Sequence, residues 1–154
     1  MNLTAFDIAQ RYISIKELPG GLDHPLIRWW LSLCGFDAAT VHDEVPWCSA
    51  FVQGPTWELR LPRSKSAAAR SWLQFGVPIE ITEAKAAYDV VVLKRGAGAQ
   101  PGPEVLSAPG HVGFFAGLDG LHVRELGGNH GDAVTIANFP RGLVLGVRRL
   151  YAGD

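Results

Sequence analysis

His111-Val112-Gly113-Phe114-Phe115-Ala116-Gly117, Leu118-Asp119-Gly120 and Leu121-His122-Val123-Arg124-Glu125-Leu126 read as two apolar runs joined by a tight turn. That is the signature of an antiparallel hairpin, with Asp119-Gly120 as the expected turn. On either side the same pattern continues. Residues 87–93 are β-branched and continuous, as a central strand requires. Residues 133–137 and 143–149 supply two further strands around a turn at Pro140-Arg141-Gly142. Upstream the period changes to that of helices. Residues 4–12 predict a short amphipathic helix capped by Thr4, and residues 24–34 a second one with Pro25 in its first turn. A third helix is expected to begin within residues 43–52, and a fourth over residues 64–75, where Ala67-Ala68-Ala69 favours helix. Helices first and an antiparallel sheet afterwards predict an α+β fold.

The chain has 154 residues with 47% apolar content, enough for one core and a single domain spanning residues 1–154. Its 14 Lys and Arg balance 15 Asp and Glu, which argues against nucleic acid as a partner. Residues 1–7 show neither the positive nor the apolar region of a signal peptide, and no run of about 18 apolar residues occurs. The expectation is synthesis in the cytoplasm without membrane insertion. Nothing in the sequence indicates an oligomeric state. Two cysteines are too few for a disulfide scaffold; Cys34, in an apolar run, reads as a buried structural thiol.

Cys48 is different. It follows Pro46-Trp47 at an expected helix start, where unpaired backbone N–H groups favour thiolate and can face a developing oxyanion. His111, at the start of a strand, is the candidate base. A third group must orient the imidazole. A turn at Asp119-Gly120 sets Gly128 opposite His111, bringing Asn129 within reach, and sets Glu125 opposite Phe114 on the other face. Strict alternation disfavours Asn129 too, but Gly127-Gly128 can break it. Asn129 is the first candidate; Glu125, His122, Asp132 and a backbone carbonyl stay open. No cofactor is called for. Cys48, His111, His122 and His130 lack the paired spacing of a metal site, and the Gly-rich run 96–102 lacks the Lys-Ser/Thr ending of a phosphate loop and reads as mobile. Trp29, Trp30 and Trp72 fall on helix stripes and are expected in the core. Trp47 is placed to pack and to line the site, and Trp57 to stand on a substrate-facing rim. Residues 60–65 form a local positive cluster.

The ordered segments Asp43-Glu44-Val45-Pro46-Trp47-Cys48-Ser49-Ala50-Phe51-Val52, Ala67-Ala68-Ala69-Arg70-Ser71-Trp72-Leu73, Tyr88-Asp89-Val90-Val91-Val92, Gly110-His111-Val112-Gly113-Phe114-Phe115 and Leu126-Gly127-Gly128-Asn129-His130 resemble the NlpC/P60 and CHAP superfamily. They are most similar to its small phage-like or prophage-like branch, over nearly the whole chain. The resemblance implies a papain-like α+β core and a cysteine peptidase or amidase acting on peptidoglycan, within the stem peptide or between peptide and glycan. It places the nucleophile at Cys48, the base at His111 and the polar third member at Asn129, and reads Asp89 as structural. One departure is visible: the glutamine usual after Gly-Gly-Asn is His130, a candidate substrate contact or competing polar partner. The positive cluster of residues 60–65 reads first as a solvated loop, with contact to anionic wall material as the alternative. With no leader expected, such an enzyme would need a holin, a secretion apparatus or lysis to reach the wall. The same machinery would serve an endolysin, an antibacterial effector or a transpeptidase, and a non-catalytic wall-binding module is the remaining alternative.

Overall fold

The computed structural model describes residues 2–151 and residue 153. Three α-helices come first: α1 (Ala5–Gln10), α2 (Pro25–Ser32) and α3 (Cys48–Glu58). Thr4 caps α1 in a reciprocal capping box with Asp7, whose carboxylate accepts from the Thr4 N–H at 2.8 Å. His24 caps α2, its Nδ1 accepting from the Leu26 N–H. No helix among the described residues is long and apolar enough to cross a membrane.

Six strands follow: β1 (Val77–Ile79), β2 (Asp89–Lys94), β3 (Gly110–Asp119), β4 (His122–His130), β5 (Ala133–Pro140) and β6 (Val144–Arg149). They form one sheet in the order β1-β6-β2-β3-β4-β5, and every neighbouring pair is antiparallel. The α+β architecture with helices before an antiparallel sheet is therefore present. The short edge strand β1 carried no alternation in the sequence.

The helices cover one face. Ile27, Trp30, Phe51 and Val52 pack there against Val90, Val92, Val112, Phe114 and Leu126. The opposite face holds a smaller cluster of Val91, Leu93, Phe115, Val123 and Val147. Alternate residues of β2 and β3 divide between the two faces, as the two-residue period demands.

Two local expectations are corrected. Residues 64–75 do not form an α-helix; only Ala69–Gln74 winds, as a 3₁₀ segment. Tertiary hydrogen bonds override the Ala-rich propensity. The Ser66 carbonyl accepts from Ser49 Oγ and Gln53 Nε2 of α3, and Lys65 adopts a left-handed conformation. The hairpin turn lies one residue further on, at Gly120-Leu121, because Asp119 pairs with His122.

Arg70, wholly buried, donates to the carbonyls of Pro101, Gly102, Val105 and Pro109. The Gly/Pro-rich stretch expected to be mobile is thus tied at its second half by one guanidinium.

Candidate active site

Cys48 is the first residue of α3, and no side chain caps that end. The first-turn N–H groups therefore face the thiol without an intrahelical partner. Burial pushes the Cys48 thiol up, but the neighbouring His111 imidazole, the Val112 backbone N–H and the more distant Arg95 charge together bring it below its usual 9.0. Cys34 shows the contrast: burial raises it to about 12 despite the Arg63 charge, with no imidazole beside it. Both thiols are free.

His111 is buried at the start of β3, and the directed hydrogen bond of its Nε2 runs to His130 Nε2 at 2.7 Å. His130 Nδ1 lies 3.1 Å from the Thr135 carbonyl oxygen, which can only accept. That oxygen selects the tautomer in which His130 donates from Nδ1, and in this tautomer His130 Nε2 accepts from the His111 Nε2–H. Glu125 Oε1 stands 2.6 Å from His111 Nε2 and 3.5 Å from His130 Nε2. It is off the line of the N–H, so it acts as a charge: neither carboxylate oxygen receives a directed hydrogen bond. Burial lowers the His111 pKa, but the Glu125 charge and the Cys48 thiol outweigh it and raise the imidazole to about 10. Conversely, burial raises Glu125, and the two imidazoles overcome this to hold it below its usual 4.5.

The side chains meet because the strand alternation is broken twice. A bulge between Phe115 and Gly117 shifts the β3–β4 register, so Glu125 opposes Phe115 and not Phe114. One residue of shift moves every side chain to the other face, which carries Glu125 to the side of His111. The second break comes between Gly127 and His130 in the β4–β5 pairing, with Asn129 at φ 61°. It turns His130 onto the same side. Two glycines keep this space clear. A methyl group at Gly113 would lie 2.5 Å from Glu125 Oε1, and one at Gly127 2.7 Å from His130 Nε2.

Asn129 lines a cavity of about 340 Å³ together with His111, His130 and Phe139, but the groups touching the imidazole are His130 and Glu125. His122 pairs with Asp119 at the far end of the hairpin, and Asp132 is exposed beyond β4. Trp47 is fully buried, stacked on Trp30 and donating its indole N–H to Glu17 Oε1 at 2.8 Å, so it packs and does not line the cleft. Trp57 is 49% exposed, but at the opposite end of α3.

Cys48 itself opens onto a neighbouring cavity of about 360 Å³ lined by Ala67, Ala68, Ala69 and the stretch from Ser107 to Gly110. Arg95 lines both cavities and was not singled out from the sequence. It follows β2 in a glycine-rich run with no pattern of its own. His111, Glu125 and His130 could offer three ligand atoms to one metal ion, all within 4.8 Å of one another.

No protein-family model and no curated protein matches the sequence. Among solved structures, that of NlpC1 from Trichomonas vaginalis is similar to this chain at 14% identity with a TM-score of 0.57. The match covers 97% of this chain and 44% of that one, so the chain spans less than half the length of its structural neighbour. At this identity the likeness concerns the fold: helices followed by an antiparallel sheet, in the arrangement of an NlpC protein.

Proposed function

We propose that the protein is a papain-like cysteine peptidase or amidase of the NlpC/P60–CHAP type that hydrolyses an amide bond of peptidoglycan. The bond lies within the stem peptide or between peptide and glycan. The observation that carries this reading is the buried His111 imidazole set against Glu125 and His130, with the Cys48 thiol at an uncapped helix start among the groups that shift its titration. The fold likeness and the order of the sequence motifs, which resemble those of small phage-like members, support it.

His111 Nε2 is engaged by His130 and Glu125, which leaves Nδ1 to face Cys48. The lowered thiol and the raised imidazole favour a thiolate–imidazolium pair. The Cys48 thiolate attacks the amide carbonyl, and the oxyanion forms opposite the backbone N–H of Cys48. The imidazolium gives its Nδ1 proton to the leaving amine, leaving an acyl group on sulfur. Neutral Nδ1 then takes a proton from water as the water attacks the thioester, and the thiolate departs. Glu125 stabilises the imidazolium, and His130, fixed by Thr135, holds the ring's tautomer. Asn129, on the rim of the same cavity, contacts substrate in this scheme. The enzyme acts on the wall after release or delivery from the cell that makes it.

The test is selective alkylation. With iodoacetamide at pH 8, Cys48 reacts ahead of Cys34, and loss of peptidoglycan hydrolysis follows Cys48 modification one for one. Hydrolysis that survives full modification of Cys48 would refute the mechanism.

A further inference from the structure

A third cavity, of about 750 Å³, lies at the other end of α3. Cys48 opens the helix and Trp57 lies nine residues on, which at 1.5 Å per residue is about 14 Å along the axis. Trp57, Glu58, Arg60, Arg63, Lys65 and Phe75 line it. Among the described residues, none of the three cations enters an ion pair. The one carboxylate, Glu58, accepts from the Tyr12 hydroxyl at 2.8 Å. Arg63 uses one N–H on the Leu33 carbonyl, which leaves the rest of its guanidinium free to bind. Trp57 meets Trp29 edge to face at 5.5 Å and keeps half of its surface open.

The backbone gives an independent indication. Arg60 and Lys65 have φ of 56° and 57°, and among the described residues the other left-handed ones that are not glycine are Ser14, Asn129 and Asp132. Asn and Asp tolerate this region, whereas for long side chains glycine is the less costly choice. Arg60 sits where α3 ends, its N–H donating to the Trp57 carbonyl, at a position where helices favour glycine. The chain thus keeps a cation at two places where its own geometry favours none.

We infer that this cavity is a binding site for an anionic saccharide, with a sugar ring on the face of Trp57 and its carboxylate or phosphate on Arg60, Arg63 and Lys65. An aromatic face attracts the C–H groups of a sugar, and guanidinium matches an oxyanion in bidentate geometry. Three cations in a chain of net charge −1 suit a locally anionic ligand better than a nucleic-acid strand. This rests on the wall-hydrolase reading and deepens it: the cavity gives the enzyme a second hold on the wall, apart from the cleft at Cys48. The anion can come from peptidoglycan itself or from a phosphodiester polymer attached to it.

The experiment is co-sedimentation of Cys48→Ala protein with purified cell walls, either intact or stripped of phosphodiester polymers with hydrofluoric acid, at 50 and 300 mM salt (roughly the range over which screening is strong). The double variant Arg60→Gly/Lys65→Gly, which relieves the left-handed backbone, and the variant Trp57→Ala are compared, with circular dichroism as the check on folding. The expected result is salt-sensitive binding, weakened about tenfold in the double variant and in Trp57→Ala. Binding lost on stripping identifies the phosphodiester source; binding retained identifies peptidoglycan. Binding unchanged in folded variants would overturn the proposal, as would tighter binding of a single-stranded oligonucleotide than of either wall preparation. A wild-type protein that cleaves walls which the Cys48→Ala protein does not retain would refute the site and leave the hydrolase standing. Retention through these residues without any cleavage would do the reverse.

Discussion

The two ends of α3 solve opposite problems. At the N-terminal end Cys48, His111 and Glu125 are buried, and each has its titration shifted, against the cost of burial, by a partner in the same set. At the C-terminal end Arg60 and Lys65 are exposed and free of ion pairs, so water stabilises them and a ligand need displace only that water. Removing one member from the buried set leaves the others unpaired in a low-dielectric setting, whereas removing one from the exposed set disturbs nothing else. Large coupled effects are expected at the first end and small additive ones at the second.

The largest effect is at Cys48: Cys48→Ala lowers product release from peptidoglycan by about 10³-fold or more without loss of fold, measured by product yield. Glu125→Gln keeps the shape but removes the charge behind the imidazole. A fall of about a hundredfold in turnover is expected, with the alkaline limit moving to lower pH.

The sign of the pH dependence follows from the shifts. His111 is raised from 6.5 to about 10, so its stabilising interaction is complete below pH 6.5 and is lost as pH rises through about 10. Glu125 is held below 4.5, so its contribution is present above that pH and fades on acidification. Thermal denaturation against pH should show an alkaline loss near pH 10 in the wild type and an earlier loss in Glu125→Gln. An unmoved alkaline edge in the variant would break the coupling.

Gly113→Ala tests the geometry without replacing a titratable group: the new methyl group meets Glu125 Oε1 at 2.5 Å and must displace it. A cost of about 1–3 kcal/mol is expected by chemical denaturation, together with reduced turnover. Smallest is the other end: Arg60→Gly/Lys65→Gly should change stability by no more than about 0.5 kcal/mol. A larger loss there would mean the cations support the fold, and the contrast between the two ends would fail.

Much of the fold was legible because it depends on period. α1, α2 and the strands from β2 onward follow the apolar spacing of their own residues, whereas α3, buried on nearly every side, was marked by Pro46 at its start. The 3₁₀ segment at Ala69–Gln74 was not legible, since Ser66 is held by Ser49 and Gln53 from another element. Cys48 and His111 were accessible from local context. The partners of His111 were not, because they depend on a bulge at Ala116 and a left-handed turn at Asn129. Strict alternation sends Glu125 to the wrong face, and nothing in Phe115-Ala116-Gly117 announces the extra residue. His130 was visible as a departure from the family pattern, but its place beside the imidazole follows only from the broken register.

The most direct measurement is mass spectrometry of the fragments released from purified peptidoglycan by the wild-type protein and by Cys48→Ala. The account predicts new free amino groups at a defined position of the released stem-peptide fragments, present with the wild type and absent with the variant. The same fragments from both proteins, or none from a folded wild type on several wall types, would contradict it.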